Sequence, residues 1–170
     1  MREILIYPEK CNGCLTCQTA CSVAHSKSGT VIGAILEKVQ PRLTVEAVGA
    51  VAIPLMCRHC EEPACVDACM TGAMQKDKDT GIVTNEGHPQ KCVGCWMCVM
   101  SCPYGAISRS TGAEAVAIKC DRCTGREIPA CVESCPNGAL EFGEIDALGD
   151  KRRKQTARSV KKGLDQMEAS

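Results

Sequence analysis

Aromatic side chains are nearly missing: Tyr7, Trp96, Tyr104 and Phe142 are all that 170 residues contain. A core of ordinary composition therefore has little to fill it, and something other than side chains is expected to occupy part of the interior. Long apolar runs are missing too. No stretch approaches the roughly 18 consecutive apolar residues of a membrane span. The start, Met1-Arg2-Glu3-Ile4, has neither the apolar segment nor the small-residue cleavage site of a secretory leader, so a cytoplasmic chain is expected. Excess charge is missing as well. Lys plus Arg is 20 and Asp plus Glu is 20, which gives no global drive toward nucleic acid or anionic lipid. No Gly-rich phosphate loop, nucleophile elbow or carboxylate pair stands out, and no catalytic site is expected.

What the chain does have is cysteine, 16 of them. That density is found in disulfide scaffolds, which are secreted; in a reducing compartment it points to metal instead. The cysteines fall in four groups of four. The first is Cys11, Cys14, Cys17 and Cys21, spaced C-x2-C-x2-C-x3-C. The second is Cys57, Cys60, Cys65 and Cys69, with x4 in the middle. The third, Cys92, Cys95, Cys98 and Cys102, repeats the first spacing and is followed by Pro103. The fourth is Cys120, Cys123, Cys131 and Cys135, with x7 in the middle and Pro136 after it. An x-x-Gly-Ala-apolar segment follows three of the groups, at Met70–Met74, Pro103–Ile107 and Pro136–Leu140. This is an internal repeat.

A C-x2-C-x2-C-x3-C-P run is a [4Fe–4S] pattern. Three closely spaced thiolates wrap three corners of a cube, and the fourth cysteine lies beyond a helical turn and reaches the other cluster of a pair. Gly13 and Gly94 let the backbone approach the sulfurs. Zinc is the main competitor, since two C-x2-C knuckles hold a tetrahedral ion. Groups one and three fit zinc poorly, with four cysteines inside eleven residues. With all 16 positions filled by Cys, four [4Fe–4S] clusters match the count of thiolates. His25, His59 and His88 are weaker ligand candidates, and a supporting hydrogen bond or a surface position suits them better. Lys91, Lys119 and Arg122 adjoin ligands and can raise local potentials or simply be solvated. Trp96 reads as a cover that keeps water from a cluster.

The spacing predicts a strand over Glu3 to Tyr7. It predicts hairpins around Asp79-Thr80-Gly81 and Ser110-Thr111-Gly112, and one helical turn after each third cysteine. The Val-, Ile- and Leu-rich stretch from Ile35 to Ile53 reads as one or two strands, broken at Pro41, Gly49 and Pro54. The last 20 residues carry seven positive charges against two negative, so this tail is +5 and the preceding 150 residues are −5. Ala157, Val160, Leu164 and Met167 form one apolar helical stripe, which suits either a docking helix or a solvated end.

At these motifs the chain resembles the four-cluster polyferredoxins. These are electron-transfer subunits of carbon monoxide dehydrogenase, formate dehydrogenase, formate hydrogenlyase-type hydrogenase and the dimethyl sulfoxide reductase group. The resemblance spans about residues 3–145. Cys57-Arg58-His59-Cys60-Glu61-Glu62-Pro63-Ala64-Cys65 and Lys91-Cys92-Val93-Gly94-Cys95-Trp96-Met97-Cys98 look most like the carbon monoxide dehydrogenase subunit. Met70 departs from the Pro that often follows the second group. The resemblance implies an α+β fold of two pseudo-symmetric ferredoxin-like lobes, the second inserted in the first, plus a C-terminal helix. Residues 1–54 and 108–146 would form the first lobe, 55–107 the second and 147–170 the tail.

It also implies a crossed wiring. Cys11, Cys14 and Cys17 would share a cluster with Cys135, and Cys120, Cys123 and Cys131 one with Cys21. Cys57, Cys60 and Cys65 would share one with Cys102, and Cys92, Cys95 and Cys98 one with Cys69. The expected function is electron transfer in an anaerobic cytoplasm, without catalysis by the chain itself. Carbon monoxide dehydrogenase is the first expected donor, with a flavin nicotinamide oxidoreductase or a hydrogenase as acceptor. A formate dehydrogenase or hydrogenase complex is the alternative. A zinc-binding interaction scaffold is the alternative of another class. Partners in nucleic acid or membrane are not expected.

Overall fold

Two-stranded antiparallel ribbons make up all the β-structure among the described residues. The computed structural model describes residues 2–111 and 115–168. In chain order it runs β1 (Arg2–Ile6), a 3-10 turn at Pro8–Lys10, α1 (Thr16–Ala24), α2 (Val31–Leu36), β2 (Leu43–Val48) and β3 (Val51–Met56). There follow α3 (Ala64–Asp67), β4 (Gln75–Lys76), β5 (Val83–Thr84), α4 (Met97–Ser101), β6 (Ile107–Arg109) and β7 (Ala117–Lys119). The chain ends with α5 (Ala130–Glu133), β8 (Leu140–Glu144) and α6 (Ile145–Glu168). Gly112 of the expected Ser110-Thr111-Gly112 turn lies outside the described residues, as does the side chain of Met167.

β1 pairs with β8, Arg2 opposite Glu144 and Ile6 opposite Leu140. This ribbon closes the start of the chain onto the segment after the last cysteine. The hairpins β4–β5 and β6–β7 lie where the Gly-containing turns put them. The repeated apolar residue after three cysteine groups is buried each time, as Met74, Ile107 and Leu140.

Three readings need correction. The stretch from Ile35 does not begin as a strand, because Ile35 and Leu36 close helix α2. The Thr30 side chain caps that helix, its hydroxyl oxygen accepting from Gly33 N–H at 3.1 Å. Pro54 does not end the second strand; it sits inside β3 opposite Val45. The ribbon has only two strands, so β3 is an edge strand, where proline is tolerated. The helix that carries the last two cysteines of the first group is also longer than one turn. Its nine residues put Cys17 and Cys21, four apart, on one buried face.

The buried residues gather in two cores. One joins Ile4, Leu43, Met56 and Leu140 with Cys17, Cys21 and Cys131. The other joins Met74, Val83, Ile107 and Ala117 with Cys98. Sulfur therefore replaces aromatic bulk in both. The start of α6 docks through buried Leu148, while Val160 and Leu164 are 58% and 56% exposed. No described helix is long and apolar enough to cross a membrane.

Candidate metal centres

Three separate cavities are each lined by four cysteines, three from one group and one from another. Cys11, Cys14, Cys17 and Cys135 line the first, of about 330 Å³. Cys57, Cys60, Cys65 and Cys102 line the second, of about 340 Å³. Cys92, Cys95, Cys98 and Cys69 line the third, of about 330 Å³. Three cavities of one size with one kind of lining mark a repeated guest. The remaining four converge too, since the Cys131 thiol lies within electrostatic reach of Cys120, Cys21 and Cys123. All four members of this last set are buried, whereas Cys14 and Cys95 are exposed.

The crossed members lie in or just beyond helices, Cys21 within α1 and Cys69, Cys102 and Cys135 after the ends of α3, α4 and α5. Cys17 and Cys21 project from one face of α1, but Cys17 serves the first cavity and Cys21 the buried set. The first two cysteines of each group sit on a tight loop whose residue before the second cysteine is left-handed. Those residues are Gly13, His59, Gly94 and Arg122, with φ of 71°, 47°, 69° and 57°. Glycine takes this conformation freely; histidine and arginine pay about 1–2 kcal/mol for it. Both are nonetheless nearly fully buried. Their alignment with Gly13 and Gly94 was the available sequence signal that they are special, and spacing alone overlooked it.

Backbone N–H groups aim at the sulfurs. Donors are Arg42 to Cys21 at 3.2 Å, His59 to Cys57 at 3.4 Å, and Met74 to Cys69 at 3.3 Å. Arg122 donates to Cys120 at 3.4 Å and Ala139 to Cys135 at 3.2 Å. Such bonds stabilise thiolate and tune a bound cluster. Without a metal core the buried sulfurs are reluctant anions: burial pushes the Cys65 thiol up to about 11 and the Cys120 thiol up to about 12. A coordinating iron core removes those protons outright, so the donor set suits a strongly charged metal group.

His25 and His59 offer no free lone pair to a metal in this arrangement. Both ring nitrogens of His25 are engaged, Nδ1 with the Cys21 carbonyl at 2.8 Å and Nε2 with Asp121 at 3.1 Å. This leaves no lone pair for a metal, although His25, Asp121 and Cys123 lie close together. Burial disfavours the charged ring, but bonds to Asp121 and Cys21 outweigh it and raise His25 to about 10. His59 behaves oppositely. Burial, with help from Lys119 and Arg122, lowers it to about 3. Its Nδ1 accepts from Val83 N–H at 3.0 Å, so the ring proton belongs on Nε2. That Nε2 is buried without a partner among the described residues, in a side chain that lines the second cavity. An orphaned donor beside four thiols fits an anionic, sulfur-rich guest. Trp96 lines the third cavity beneath the Arg109 guanidinium, as a cover would. Lys91 is exposed and His88 half-buried.

Residues 48–145 match the 4Fe-4S dicluster domain, and residues 8–24 match a 4Fe-4S binding domain. The chain belongs to the 4Fe-4S dicluster domain family. An iron-sulfur protein of Rhodospirillum rubrum is 40% identical over 180 residues, covering 94% of this chain and 92% of that protein. Electron transport protein HydN of Escherichia coli K12 is 34% identical, covering 92% and 97%. Hydrogenase-4 component A of the same organism is 32% identical, covering 86% and 84%. This dicluster-domain protein carries multiple [4Fe–4S] clusters. Its equipment is that of an electron-transfer subunit of an oxidoreductase complex.

Proposed function

We propose that the chain passes single electrons through four [4Fe–4S] clusters to or from a hydrogenase- or formate dehydrogenase-type catalytic subunit in an anaerobic cytoplasm. The observation that carries this reading is the set of three equal cavities, each lined by three cysteines of one group and one of another. The clusters would be held as the cavities group the thiols, with Cys21, Cys120, Cys123 and Cys131 as the fourth set. Bound iron–sulfur clusters supply reversible one-electron chemistry. The chain's residues hold the sulfurs at fixed positions, donate backbone hydrogen bonds to them, and exclude water from the buried set. Residues 1–54 with 108–146, and 55–107, would serve as two two-cluster lobes.

A hydrogenase component and an electron transport protein among the relatives support the choice of partner. Carbon monoxide dehydrogenase rests on the motif resemblance alone and becomes the second reading. A flavin nicotinamide oxidoreductase or hydrogenase would complete that chain as acceptor. The zinc scaffold has the less fitting donor set, since three of the four crossed groups each line one repeated cavity rather than forming paired knuckles.

The test is anaerobic pull-down of the intact protein from its native host, with identification of the bound subunit. A hydrogenase or formate dehydrogenase is expected. Carbon monoxide dehydrogenase alone would restore the second reading. A colourless protein carrying about four zinc ions would end the electron-transfer reading altogether.

A further inference from the structure

Among the described residues, all but one of the buried or nearly buried cations sit beside a carboxylate. Arg122 pairs with Glu3. Arg42 reaches Glu86 at 2.8 Å and Asp121 at 3.0 Å. His25 pairs with Asp121 at 3.1 Å. Lys119 is the exception. It is 3% exposed, yet no carboxylate among the described residues pairs with it. Its Nζ donates to the Val83 carbonyl and, at 3.0 Å, to the Cys120 carbonyl. Two carbonyl dipoles orient an ammonium but do not neutralise it, and an uncompensated buried charge is strongly unfavourable.

The two carbonyls stand on opposite sides of a seam. Cys120 belongs to the buried set with Cys21, Cys123 and Cys131. Val83 lines the cavity of Cys57, Cys60, Cys65 and Cys102. The Lys119 charge acts on Cys65, and the Cys57 and Cys120 thiols lie close enough to act on one another. Even the backbone of Val83 is shared, with its carbonyl given to Lys119 and its N–H to His59. The two outer sets, by contrast, carry the exposed Cys14 and Cys95.

We propose that Lys119 is the shared counter-ion of the two interior centres, one held by Cys21, Cys120, Cys123 and Cys131, the other by Cys57, Cys60, Cys65 and Cys102. Its positive charge makes both easier to reduce than the two outer centres. This rests on the reading that the four cysteine sets hold [4Fe–4S] clusters. Each interior centre then takes one electron that entered from the catalytic partner through an outer centre. No bond forms or breaks at Lys119 and no proton is passed. The middle of the molecule becomes a two-electron store between two exposed contacts.

The test is a redox titration followed by electron paramagnetic resonance on intact, cluster-loaded protein under anaerobic conditions. Wild type, Lys119→Gln and Lys119→Arg are compared. Gln keeps a donor and loses the charge; Arg keeps the charge. Lys119→Gln is expected to lower the reduced-to-oxidised ratio of two of the four centres at least tenfold at a fixed potential, a shift of about 59 mV. The other two should stay within about twofold, and Lys119→Arg should restore all four. Four unmoved centres, or four moved equally, would overturn the proposal. If Lys119→Gln fails to load clusters, Lys119→Arg decides: normal loading shows that a cation is required, and equal failure shows that shape, not charge, is what matters and overturns it. Iron-free wild-type protein would instead sink the electron-transfer reading and this one with it. Loaded wild type with an indifferent Lys119→Gln would sink this one alone.

Discussion

Gly13 and Gly94 hold the same loop position and nearly the same left-handed φ, yet they do not tolerate a side chain equally. A Cβ on Gly13 would meet only the Ala52 Cβ, at 3.3 Å. On Gly94 it would lie 2.4 Å from the Ala115 carbonyl oxygen and 3.2 Å from the Trp96 ring. Gly13→Ala should cost about 1–2 kcal/mol from backbone conformation alone. Gly94→Ala should cost about 3 kcal/mol or more, adding a clash with the backbone carbonyl of Ala115. Thermal melts of the loaded proteins compare the two, and equal losses would contradict the cavity geometry. The His25–Asp121 pair makes a pH prediction. His25 is raised from 6.5 to about 10, so its stabilising contribution is full below about pH 6.5 and is lost as pH rises through about 10. Asp121 is lowered from 3.8 to about 2, burial opposing and the His25 bond and Arg42 charge prevailing. Its contribution is full above about pH 3.8 and lost as pH falls through about 2. Asp121→Asn should therefore destabilise by about 2–3 kcal/mol near pH 6. The gap to wild type should narrow between pH 8 and 10. A gap that widens with pH would refute the assignment. Neither His25 nor Asp121 was legible as a pair, because they are 96 residues apart and only the fold brings them together.

Among the elements, the short strands and single helical turns were readable from turn residues and cysteine spacing. Helix α2 was not. Its Val-Ile-Gly-Ala-Ile-Leu run has no polar residue to reveal a helical period, so apolar content alone suggested a strand. The decision came from the Thr30 cap and from Glu37, which accepts from Lys27 N–H at 2.7 Å and Ser28 N–H at 3.0 Å. Thr30→Ala should loosen α2 by about 1 kcal/mol, seen as faster hydrogen exchange confined to residues 31–36. Helix α6 divides at its second turn. Lys151 pairs with Glu141 and Arg152 with Glu9, and Arg152 also lies over the Tyr7 ring at 5.2 Å. Beyond that, Val160 and Leu164 face outward. Deleting residues 155–170 should leave cluster content unchanged while weakening the partner complex at least tenfold. Unchanged partner affinity would assign the distal helix to solvent.

For the molecule as a whole, the scarcity of aromatics and the zero formal charge acquire one explanation. Both cores contain cysteines, so removing metal takes away part of what the cores are built around. Complete removal of iron should unfold the chain, seen as loss of far-ultraviolet circular dichroism and of a cooperative melt. A cooperative melt in iron-free protein would disprove this. The charge changes as well. A cluster core of about +2 with four thiolates carries about −2, so four of them take the protein to about −8, and to about −12 when each holds an electron. The cationic tail then stands against an acidic body.

The cysteine spacing by itself determined the cofactor class, the repeat and the four groups of ligands. Four thiolates within eleven residues leave few other chemistries, and that constraint is local. Which cysteine crosses to which group came to the sequence only through resemblance; that Cys135, Cys102 and Cys69 each line a cavity with three cysteines of another group belongs to the tertiary structure. Burial was decided by tertiary structure alone. It buries all four cysteines of one set and exposes Cys14 and Cys95 of two others, and it leaves Lys119 as a buried cation with no carboxylate partner among the described residues. Spacing along a chain carries no information about solvent. The shielding that makes one charge costly and another trivial exists only once the chain has folded around it.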